Sequence, residues 1–177
     1  AYSDLCFELG ISIWYWMEGD KEDSIIRASA WFELADTYVN DRCEYNPQVL
    51  LIYRGIGYFY REINPHVEKG NYRKSEFKAF WKTLCQMQDV FRKQEDMAEL
   101  LRCEAYCMMI LSIKNYMGQF RVAGIEKLEM RQQCQRIYTQ LKEGDFSLID
   151  GRIWVKYQDT LNLEYIEELV EDIDAVD

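Results

Sequence analysis

The chain has 177 residues, 49% of them apolar, with 13 Tyr, 8 Phe and 5 Trp against 2 Pro. That balance predicts a single domain with a sizeable core and argues against a disordered chain. The formal net charge is −10, yet residues 159–177 hold eight acids and no Lys or Arg, leaving residues 1–158 nearly neutral with 23 acids and 21 bases. The acidity is therefore local. It reads as a solvated helix face or, alternatively, as a docking tail for a basic partner, and being so unevenly placed it is a weak argument against nucleic acid, although no nucleic-acid partner is expected. No apolar run approaches the roughly 18 residues of a membrane span, so the chain itself is not expected to insert. The first residue is Ala1, not Met, which we read as a domain excised from a larger protein.

Helical periodicity runs through nearly the whole chain. A first helix is predicted over 3–17, ending in Trp14, Tyr15 and Trp16, with Gly19-Asp20 as its breaker. The second spans about 24–40, with Ile25, Ala28, Phe32, Ala35 and Val39 at alternating steps of three and four. Asn46-Pro47 marks the next start, because Asn can cap free amides and Pro suits the first helical position; Asn64-Pro65 ends that helix after Ile63. Beyond Gly70-Asn71 a fourth helix carries the stripe Phe77, Phe80, Trp81, Leu84, Met87 and Phe91. Lys74, Lys78 and Lys82 fall on another face of it, so this basic cluster reads as an ordinary amphipathic helix. The fifth, about 94–117, is apolar nearly all round between Cys103 and Ile113 apart from Glu104 and Ser112, as expected of a central, buried helix. A sixth helix reaches Leu141, and a last one carries Leu161, Tyr165, Leu169, Ile173 and Val176. Between them, residues 146–157 contain Asp150-Gly151, a two-residue hairpin signal, but with no other strand to extend it a turn into a helix is preferred.

The residues that carry chemistry are sparse. The six cysteines form no C-x2-C pair, and His66 is the only histidine, so neither a zinc set nor a hydrolase triad can be assembled at ordinary spacing. Buried free thiols in a reducing compartment are the expectation, although an anaerobe's exterior would also tolerate them. Glu167 and Glu171 share one helix face without a further inward acid or His, and read as solvated. No phosphate-cradling glycine loop occurs, so no cofactor and no catalytic residue is assigned.

Two stretches repeat one pattern: Cys6-x2-Leu9-Gly10-x2-Ile13 and Tyr53-x2-Ile56-Gly57-x2-Tyr60. A glycine between bulky residues at helical spacing lets a partner helix approach, and Ala28-x3-Phe32-x2-Ala35 supplies a small-large-small partner. This combination resembles the tetratricopeptide repeat, over about residues 1–64. The two glycines are 47 residues apart, against ~34 in the family, so the repeat is degenerate. The resemblance implies an all-α fold of six to seven helices, as antiparallel hairpins stacked in a right-handed array. It also implies a concave groove lined by Phe7, Ile11 and Trp14 from the first copy and Arg54, Tyr58 and Arg61 from the second. Two arginines beside a tyrosine could hold a carboxylate-bearing peptide, unless they pair with acids such as Glu33 or Glu62.

Short blocks also resemble the C-terminal helical region of bacterial membrane-anchored serine/threonine kinases. They are residues 4–10, Trp14-Tyr15-Trp16, residues 29–33, residues 53–61 and Phe120-Arg121-Val122-Ala123-Gly124. That resemblance implies a sensing or partner-binding domain on the extracytoplasmic side of a bacterial membrane; without it a cytoplasmic location is expected. The chain itself carries no Gly-rich loop, His-Arg-Asp or Asp-Phe-Gly motif. The leading functional expectation is a non-catalytic protein, peptide or ligand-sensing module. A dimerisation or scaffold module and a carboxylate-dependent helical enzyme are the alternatives.

Overall fold

A computed structural model describes residues 1–16, 21–67, 69–112, 124–147, 149, 151 and 157–175. Among these the fold is all-α, with seven α-helices and no strand. They are α1 (Tyr2–Trp16), α2 (Lys21–Thr37), α3 (Val49–Tyr58), α4 (Lys74–Lys93), α5 (Met97–Ser112), α6 (Lys127–Glu143) and α7 (Leu163–Ala175). The breaker at Gly19-Asp20, the link at 120–123, the end of the fifth helix beyond Ser112 and most of the 146–157 turn or hairpin lie outside the described residues. No helix among the described residues is long and apolar enough to cross a membrane. The chain divides into two compact units, residues 1–72 and 73–177.

In the first unit α1 and α2 run antiparallel, with Ser3 Oγ donating to the Ala35 carbonyl at 2.6 Å and the Tyr2 ring meeting Tyr38 edge-on at 4.7 Å. Both glycine notches close on α2. A Cβ at residue 10 would lie 2.7 Å from Cε1 of Phe32, and one at residue 57 would lie 2.4 Å from Cβ of Ser29. Ala28, Phe32 and Ala35 are fully buried, as the small-large-small pattern requires. The link into α3 is tied down by side chains: Glu44 N–H donates to Asp4 Oδ1 at 2.8 Å, and Gln48 N–H donates to Asn46 Oδ1 at 3.1 Å, so Asn46 closes the turn before the helix while the N-cap position itself, Gln48, carries no side-chain cap. At its far end α3 widens into a π-helical turn over Phe59–Ile63 and then a 3-10 turn over Asn64–His66. Pro65 accounts for both: it has no N–H to donate, and its ring would strike the Arg61 carbonyl in a continued α-helix.

In the second unit α4 buries the predicted stripe, Phe77, Phe80, Trp81, Leu84, Met87 and Phe91, and leaves Lys82 exposed with Lys74 and Lys78 half-buried. A tight reversal joins α4 to α5. Glu95 takes φ 57°, Asp96 N–H donates to the Phe91 carbonyl and Glu95 N–H to the Arg92 carbonyl, which is a Schellman ending built without glycine. Asp96 then caps α5 by accepting from Glu99 N–H at 3.3 Å. Every residue of α5 from Leu100 to Met108 is buried, in keeping with a central helix. The start of α6 is a capping box formed by Glu126 and Glu129. Lys127 donates to the Asp174 carbonyl, Arg131 pairs with the Asp174 carboxylate at 3.0 Å, and Tyr138 donates to Glu167 at 2.9 Å, fastening α6 to α7. On α7 the core positions are Ile166, Leu169 and Ile173, so Ile166 takes the inward place that the sequence pattern assigned to Tyr165.

Candidate functional site

The six groove residues of the first unit occupy different environments. Phe7 is half-buried and stacks on Tyr45 with centroids 4.1 Å apart, within 5.7 Å of Phe32 and 6.1 Å of Tyr53. Ile11 is half-buried on the same helix. Trp14 is only 2% exposed and meets Tyr53 edge-on at 4.8 Å and Phe32 at 5.7 Å. It is a core residue, and contact with a groove ligand would require it to leave this cluster. Tyr53, stacked on Phe32 at 4.3 Å, is the hub that brings Phe7 and Trp14 together. Tyr45 joins them from the loop, its hydroxyl 2.7 Å from Ser3 Oγ.

On α3, Arg54 lies between two acids of α2, with Nη2 3.0 Å from Glu33 and Nη1 2.5 Å from Asp36. The Glu33 hydrogen bond raises its already high pKa, so it is a fixed cation. Arg61 pairs with Glu62 at 3.2 Å and stands 6.0 Å above the Tyr58 ring. The pairing with acids weighed from the sequence is therefore the arrangement observed. All of these ion pairs are substantially solvent-exposed, and such pairs contribute little to stability.

The first unit also presents a surface that periodicity did not identify. Tyr2, Leu5 and Leu9 lie on one face of α1, with Leu34 on α2 and Tyr38 in the turn just after it, all exposed. The Tyr2–Tyr38 contact joins the two rows. The α1 pattern was legible, but in a helix apolar on several sides spacing alone does not separate an exposed row from a core row.

In the second unit a cleft of about 620 Å³ is lined by Arg92 of α4 and by Gln132, Gln135, Arg136, Thr139 and Gln140 of α6, among others. Asp89 accepts from both guanidinium groups, from Arg92 at 3.0 Å and Arg136 at 3.2 Å. Glu104 of α5 is fully buried, and neither carboxyl oxygen has a hydrogen-bond partner among the described residues. Burial pushes its carboxyl up to about 8, against the opposing pull of Arg92 and Arg136. Side-chain oxygens of Gln88 and Gln133 are likewise buried without a partner, while Gln88 Nε2 donates to Cys107 Sγ at 3.2 Å.

The six cysteines are free, and Cys6, Cys103, Cys107 and Cys134 are buried. Burial raises the Cys103 and Cys107 thiols well above their ordinary value and that of Cys134 to about 12, which leaves these three as protonated core thiols. His66 is half-buried in the turn after α3. Among the described residues no three His, Cys, Asp or Glu side chains gather as a metal set, and Glu167 and Glu171 are both exposed. No protein-family model matches the chain, and comparisons with curated proteins and with solved structures give no significant match.

Proposed function

We propose that the chain is a non-catalytic helical interaction domain, in which residues 1–72 form a tetratricopeptide-like stack that binds a protein or peptide segment. The observation that carries this reading is the exposed apolar surface of α1 and of the end of α2: Tyr2, Leu5, Leu9, Leu34 and, in the turn after α2, Tyr38 remain exposed. Single exposed apolar residues need no explanation, but rows along two adjacent helices are what a docking surface requires. The closure of both glycine notches on α2 supports the tetratricopeptide-like stacking. In this reading Arg54, Tyr58 and Arg61, with Phe7 and Ile11, form a second line of contacts for an acidic ligand group, at the expense of exposed ion pairs.

The same reading makes the chain the sensing or partner-binding part of a bacterial serine/threonine kinase, on the strength of the sequence blocks alone. The full-length gene tests that extension: a kinase domain and a membrane helix upstream are expected, and a stand-alone reading frame would overturn it.

Panning a random peptide library on the intact chain tests the binding function itself. The wild-type chain should enrich peptides with apolar anchors, and a Leu5→Asp, Leu9→Asp variant with unchanged helical circular dichroism should lose them. Equal enrichment by both proteins, or none by the wild type, would refute the surface. Sedimentation at several concentrations separates this function from self-association through the same rows.

A further inference from the structure

Helices α6 and α7 of the second unit enclose a groove of about 390 Å³ between them. Its floor is apolar: Ile166 and Cys134 are buried, and Val170 and Tyr138 are half-buried beside them. Its rim is acidic. Glu167 and Glu171, one turn apart on α7, line it with their side chains in solvent. The pair reads from the sequence as a solvated face, and the fold sets it on the edge of an open apolar floor.

Helix α7 carries six acids and no Lys or Arg over Leu163–Ala175. Of the bases on α6, Lys127 and Arg131 are held at Asp174, and Arg136 turns to Asp89 of α4. Lys142 stands over the Tyr138 ring, 5.9 Å from its centroid. Glu167 accepts from the neutral Tyr138 hydroxyl at 2.9 Å, and among the described residues neither Glu167 nor Glu171 has an ion-pair partner. A partner that covers this floor must therefore bring cations to the rim. Covering two uncompensated carboxylates with an apolar or acidic surface is strongly disfavoured.

We propose that the α6–α7 groove docks a basic amphipathic helix of another protein. Its apolar anchors rest on Ile166, Val170 and Tyr138, and its Lys or Arg side chains meet Glu167 and Glu171. The register follows from α7: the two carboxylates are one turn apart, about 6 Å along the axis, and bases four residues apart on the partner helix match that step. The apolar floor supplies most of the affinity, and the exposed rim pairs supply orientation and encounter rate. The groove lies within residues 127–175 and involves no part of the docking surface on residues 1–72.

Fluorescence anisotropy on the full chain tests it, with a labelled synthetic peptide of about 18 residues whose leucines recur at i, i+3, i+4 and i+7 between lysines, and with its counterpart carrying Glu in place of Lys. The basic peptide should bind saturably and the acidic one should not. Val170→Asp, with unchanged helical circular dichroism, should weaken the basic peptide about tenfold, although its added charge would strengthen a merely electrostatic association. The pair Glu167→Gln, Glu171→Gln should weaken it about fivefold. Glu164→Gln, Glu168→Gln, at exposed acids of the same helix outside the groove, should weaken it about twofold or less. No saturable binding, unchanged or tighter binding by Val170→Asp, or equal losses from the two glutamate pairs would overturn the site. So would a wild-type dimer that Val170→Asp converts to monomer, which would assign the groove to a second copy of this chain.

Discussion

A buried carboxyl such as that of Glu104 makes folding stability depend on pH. Its carboxyl is pushed from an ordinary 4.5 to about 8, chiefly by burial, with Arg92 and Arg136 opposing the rise. Between those two values the folded chain holds a proton that the unfolded chain has released. Stability therefore falls as pH rises across that window, by up to about 1.4 kcal/mol per pH unit, and levels off above it. Glu104→Gln carries no such proton. Urea unfolding at a series of pH values should find the variant close to wild type near pH 4.5 and clearly more stable at pH 8. Parallel stability profiles for the two proteins would contradict the assignment. The sequence already marked this residue, since Glu104 interrupts an otherwise apolar run from Cys103. Its neighbours were not legible, because Arg92 and Arg136 lie on other helices and no spacing rule connects them to it.

At the scale of elements, the two glycines carry the most information. The notch at Gly10 and its small-large-small partner on α2 could be read from spacing alone, and Phe32 fills that notch. The second notch could be read as a notch, but its partner could not: Gly57 closes on Ser29, one residue beyond Ala28, because a helix with several small positions offers several faces. Alanine at either glycine gains about 1 kcal/mol of helix propensity and incurs an overpacking penalty of about 1–3 kcal/mol. The close approach settles the sign. A methyl at residue 10 meets a fully buried ring, and a methyl at residue 57 meets a Cβ fixed to the α2 backbone, so the helices themselves must separate. Both Gly10→Ala and Gly57→Ala should lower the thermal midpoint, Gly57→Ala by more. A rise in either, the result that propensity alone would give, would show that the notches are not tight contacts.

At the scale of the molecule, all-helical character was legible from periodicity, from the near absence of proline and from the Asn46-Pro47 and Asn64-Pro65 boundaries. The candidate sites were less so. Trp14 is at a groove position by the repeat offset, yet it completes the aromatic cluster around Tyr53. Arg54 was legible as a cation, but the occupancy of its charge by Asp36 and Glu33, 18 and 21 residues away, is set by the α2–α3 packing. The exposed rows on α1 and α2 depend on which side of an apolar helix the core takes, and only the packed fold decides that.

The central claim is that a partner segment docks on those rows. Amide and methyl resonance shifts of the intact chain, titrated with a peptide enriched by panning, test it most directly. The account predicts saturable shifts concentrated at Tyr2, Leu5, Leu9, Leu34 and Tyr38. Shifts confined to the arginine-lined cleft of residues 73–177, or spread without saturation, would contradict it.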